Sequence, residues 1–127
     1  MNTDQKRRDE VMGLDYPKYI GGLEKFEDLK VEQLETLIKE SFVDQTASYN
    51  SSPTVQAFLD FMKAHEDVWA HGFVITTTRE DSRVVVEGLL FYGRPSDELK
   101  KEFELFCVGA PDLRIENDEL FSWWGKI

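Results

Sequence analysis

The chain has one cysteine, two histidines and four prolines in 127 residues, and only 15 basic side chains against 25 acidic ones. Each scarcity excludes something. A lone Cys107 rules out an intrachain disulfide or a thiolate metal cluster, and nothing indicates an oxidising compartment. A net charge of −10 has the wrong sign for a phosphate backbone, whose counterions are displaced by Lys and Arg. Direct nucleic-acid binding is therefore not expected, nor is attachment to anionic lipid. No apolar run approaches the roughly 18 residues of a membrane span. Lys6, Arg7 and Arg8 are followed by Asp9 and Glu10, where a secretory signal would need an apolar stretch. A cytoplasmic location is the expectation, and it leaves the Asn50-Ser51-Ser52 sequon without meaning.

Familiar chemistry is also missing. There is no glycine-rich phosphate loop, nucleophile elbow, kinase signature or dinucleotide fingerprint. His65 and His71 lack zinc spacing, and the acids Asp112, Glu116, Asp118 and Glu119 lack the alternation and glycine of a calcium loop. No metal or cofactor is expected.

What is present is enough apolar residue for one core. At 41% hydrophobic, a chain of this length buries about two thirds of its extended surface on folding. Residues 1–22 are mixed in charge, have little periodicity and end in Gly21-Gly22. They read as a loosely ordered tail, with Tyr16, Tyr19 and Ile20 able to dock on a single globular domain over 23–127.

Helical periodicity begins at Val31. Val31, Leu34, Leu37, Ile38 and Phe42 form one apolar face, so a helix is predicted over 31–42. Ser52-Pro53 reads as the cap and first turn of a second helix, with Val55, Phe58, Leu59 and Met62 as its buried stripe. Ser96 caps a third, whose inner face holds Leu99, Phe103, Phe106 and Cys107 before Gly109 and Pro111 end it.

Between the second and third helices the period changes to two. Residues 69–78 and 83–92 are rich in β-branched and aromatic side chains and are joined by the polar Arg79-Glu80-Asp81-Ser82. A turn centred on Glu80-Asp81 predicts the pairs Trp69–Tyr92, His71–Leu90, Phe73–Gly88, Ile75–Val86 and Thr77–Val84. These side chains share a face, and that nearly apolar face is expected to meet the core. Leu113 to Ile115 and Leu120 to Trp124 flank a polar turn and read as a shorter hairpin. The fold class that follows is α+β: two helices, a hairpin, a helix and a second hairpin, giving an antiparallel sheet with helices mainly on one face.

Two groups of residues are candidates for function. Trp69, His71, Tyr92 and Arg94 fall at the open end of the first hairpin, where aromatic rings, an imidazole and a guanidinium can line a ligand pocket. Against this, a half-buried histidine and aromatic cross-strand pairs commonly serve packing. Trp123 and Trp124 point to opposite faces of their strand, so one can be buried while the other anchors a partner or a second copy of this chain. Cys107 lies on an apolar helix face near the negative end of the dipole, which suits a packed thiol rather than a nucleophile. Residues 95–119 carry Asp97, Glu98, Glu102 and Glu104 as well as the four turn acids, against Lys100, Lys101 and Arg114.

A non-enzymatic protein-interaction module is the leading expectation. The alternatives are a small-ligand binder or enzyme built around His71, and an acidic inhibitor or immunity-type protein directed at a basic target.

Overall fold

A computed structural model describes residues 2–14, 23–75 and 83–125. Its helices are α1 (Gln5–Met12), α2 (Val31–Lys39), α3 (Val55–Ala64) and α4 (Asp97–Phe106). Its strands are β1 (Leu23–Leu29), β2 (Trp69–Ile75), β3 (Arg83–Tyr92), β4 (Asp112–Ile115) and β5 (Glu119–Trp123). The strands form one antiparallel sheet in the order β1-β2-β3-β5-β4. The α+β class and the helix-strand order from Val31 onward follow the hydrophobic periodicity. Among the described residues no helix is long and apolar enough to cross a membrane. The expected docking of Tyr16, Tyr19 and Ile20, the pair Thr77–Val84 and the turn at Glu80-Asp81 lie outside the described residues.

Two elements have no counterpart in the periodicity. Residues 5–12, within the segment read as a tail, form α1, where Asp4 accepts from the Arg7 amide and Gly13 closes the end at φ 72°. Arg7 grips the Glu40 carboxylate at the end of α2 through two hydrogen bonds, at 2.8 and 2.7 Å. Strand β1 is the other addition. Its edge position explains its charged sequence, in which only Phe26 and Leu29 are buried.

The helices keep their predicted stripes but shift at their ends. Helix α2 stops at Lys39; Ser41 then adopts φ 63° and turns the chain so that Phe42 and Val43 enter the core from a loop. The cap of α3 is Thr54, whose hydroxyl accepts from the Ala57 amide, and not Ser52. Ser52 Oγ instead accepts from the Tyr49 amide and donates to the Pro53 carbonyl. Ser96 caps α4 as expected, accepting from the Leu99 amide.

The β2–β3 register differs from the prediction, and the difference turns the hairpin over. Observed partners are Trp69–Leu90, Ala70–Leu89 and His71–Gly88, then, past a bulge, Gly72–Val86, Phe73–Val85, Val74–Val84 and Ile75–Arg83. Glu87 is the extra residue of β3, so its core-facing side chains are Val84 and Val86 before the bulge and Leu89 and Phe91 after it. Ala70 and Val74 of β2 join them against the helices. The face of Trp69, His71 and Phe73, expected to meet the core, is the opposite side of the sheet, which among the described residues carries no helix beyond the Met12 end of α1 beside Trp69. No strictly alternating pattern could register a one-residue insertion inside the strand.

Candidate functional site

The face of His71 and Phe73 is hollowed into a cleft of about 470 Å³. Its apolar floor comes from Phe73 and Leu90 on the central strands and from Phe121 and Trp123 on β5. Charged side chains border it: Lys25 and Glu27 from the edge strand β1, Arg114 from the other edge strand β4, and Glu119 from β5 beside it.

His71 sits at the centre, 7% exposed. Its Nε2 donates to the Ser122 carbonyl at 2.7 Å, reaching from β2 across β3 to β5. Gly88 makes that reach possible: a Cβ there would stand 2.0 Å from the Ser122 carbonyl oxygen and 2.7 Å from the imidazole Nε2. The imidazole stacks on Phe121, with centroids 5.0 Å apart and planes 11° from parallel. Burial pushes the His71 pKa below the ordinary imidazole value; the Ser122 carbonyl, Glu87 and Glu27 oppose this, and Lys25 adds to it. A neutral ring with its proton on Nε2 leaves Nδ1 as a hydrogen-bond acceptor.

The flanking groups are also fixed. Trp123 donates its indole N–H to Glu87 Oε2 at 3.2 Å. Its ring lies against Gly125, where a Cβ would overlap the indole carbons. Arg114 lies over the Phe121 ring, 4.9 Å from the centroid, and its guanidinium is tied to Asp112 at 3.1 Å. The Asp112 carboxylate raises the Arg114 pKa further, so this cation stays charged and matched.

Of the residues singled out at the hairpin end, His71 and Tyr92 share the cleft. Trp69 does not; with Tyr92 it lines a separate hollow beside Met12 and Asp28, where the Lys30 ammonium stands 5.7 Å from its ring. Arg94 lies apart, in a recess with His65 and Leu99, because Gly93 at φ 116° turns the chain away after β3. Trp123 and Trp124 do face opposite ways. Trp124 is 2% exposed and packs edge-on against Phe58, so it offers a partner nothing, whereas Trp123 faces the cleft. His65, the α3 C-cap, hydrogen-bonds Glu102 of α4.

Phe121, Glu87, Arg114, Lys25 and Glu27 were not anticipated. The available signal was Gly88 inside a β-branched strand, which marks a bulge or a close approach. Cys107 is fully buried among the core residues on the helix side, and burial pushes its thiol up to about 12. The sheet therefore separates it from His71. Comparisons of the chain with protein-family models, curated proteins and solved structures return no match.

Proposed function

We propose that the chain is a non-enzymatic binding domain whose working surface is the His71 face of its sheet, and that this face takes a small, flat, largely apolar ligand. The observation that carries this reading is the cleft itself. About 470 Å³ is within the roughly 300–1,000 Å³ range of small-molecule sites, and an aromatic floor with few polar groups is their usual lining. Binding is favoured over catalysis because the imidazole has one nitrogen committed to a backbone carbonyl and the one thiol lies beyond the sheet. Titration with a panel of aromatic fragments, followed by amide and indole chemical shifts, tests the reading. Shifts are expected at the Trp123 indole N–H, Gly88 and Phe121, and those at Gly88 and Phe121 are expected to disappear in Trp123→Ala. Fragments that bind elsewhere, or none that binds, would refute it.

A protein partner seating apolar side chains in the same cleft is the second reading. It is favoured by Leu23 and Tyr92, which line the cleft while 47% and 60% exposed. A cytoplasmic setting fits either reading.

A further inference from the structure

The polar groups around the cleft are mostly hydrogen-bond acceptors. Glu27, Glu87 and Glu119 contribute three carboxylates. Among the described residues no ion pair engages Glu27 or Glu119, and Glu87 receives only the indole N–H of Trp123. His71, more than nine-tenths buried at the centre, has its donor committed to Ser122 and its Nδ1 without a hydrogen bond. Donors are scarce by contrast. Arg114 gives Nε and one terminal nitrogen to Asp112, so Lys25 and a partly committed Arg114 are the two cations facing the three carboxylates. The floor adds the rings of Phe73 and Trp123, and Phe121, stacked on His71 and covered by Arg114, already shows a cation seated on a ring.

We infer that the ligand is an arylalkylamine: a flat ring system carrying a protonated amine on a short alkyl arm, whose ring lies on Phe73 and Trp123 beside Phe121 and whose N–H groups meet the acceptors of Glu27, Glu87 and His71. This rests on the small-ligand reading above and adds the ligand's charge. A carboxylate or phosphate compound would face three acids and an imidazole lone pair, with only Lys25 and the Arg114 nitrogen not held by Asp112 to receive it.

Three probes of one shape separate the two claims. Tryptamine, 3-methylindole and indole-3-propionate carry a positive charge, none and a negative charge on the same ring. Binding to the full chain is read by calorimetry and by the Trp123 indole and Gly88 shifts. Tryptamine is expected to bind about tenfold more tightly than 3-methylindole, with indole-3-propionate weakest. The Glu27→Gln/Glu87→Gln variant is expected to remove that preference, so that tryptamine and 3-methylindole bind it equally. If the anion or the neutral probe binds the cleft as tightly as tryptamine, the charge assignment is wrong and the small-ligand reading stands. If none of the three moves the cleft resonances, both fall.

Discussion

Replacing Gly88 by alanine is the sharpest perturbation of the site. The added Cβ would stand 2.0 Å from the Ser122 carbonyl oxygen and 2.8 Å from its carbon, backbone atoms that can yield only if β5 moves away from β3. It would also stand 2.7 Å from His71 Nε2, displacing the imidazole from its hydrogen bond. Forcing an extra methyl into packed surroundings costs about 1–3 kcal/mol, and an unsatisfied buried partner about 1–3 kcal/mol more. A total of about 2–6 kcal/mol is expected, a large part of the roughly 5–15 kcal/mol that holds a domain of this kind together. At this chain length it lowers Tm by roughly 10–20 °C. Urea denaturation measures the first figure and calorimetry the second. Gly109→Ala is the control, because a Cβ there meets nothing within 4 Å. It should change stability by less than about 0.5 kcal/mol. If Gly88→Ala proves as mild as Gly109→Ala, the close crossing of β2, β3 and β5 through the imidazole does not exist.

Two further outcomes follow from burial. The folded-state pKa of His71 lies below its unfolded value, so the unfolded chain binds the extra proton first as pH falls. Its contribution to stability is complete above the unfolded pKa of about 6.5 and declines as pH drops from there towards the folded value. Urea denaturation from pH 7 to pH 5 should show this slope, and His71→Gln should flatten it; an unchanged slope in the variant assigns it to other groups. Cys107, buried and pushed up to about 12, should resist an aromatic disulfide reagent at pH 8, reacting about a thousandfold more slowly than an exposed thiol until urea unfolds the chain. Prompt labelling of the folded protein would place the thiol at the surface.

The elements legible in the sequence are those whose side chains are sorted by a single period. Val31, Leu34 and Leu37 of α2 and Val55, Phe58, Leu59 and Met62 of α3 are buried as their spacing requires. Strand β1 escaped because an edge strand with one face in solvent has only Phe26 and Leu29 to show for its burial. Helix α1 escaped because it buries Arg8 and Asp9, residues that periodicity assigns to solvent. Of the hairpin-end cluster, adjacency along the strands places His71 and Tyr92 on one cleft, whereas the turn at Gly93 takes Arg94 to another recess. Phe121 and Arg114 reach the cleft through the pairing of β5 with β3 and β4, which local pattern does not encode.

The residue inserted at Glu87 reaches beyond its own strand. By resetting which neighbours look inward, it lets Leu89 and Phe91 join the hydrophobic interior while Leu90 and Tyr92 go to the opposite wall. It also curls the ribbon, as such insertions do. Excising Glu87 would therefore leave Leu89 and Phe91 facing inward but straighten the ribbon and remove the carboxylate that holds the Trp123 indole, so the hollow would flatten although none of the ring-bearing side chains had been touched.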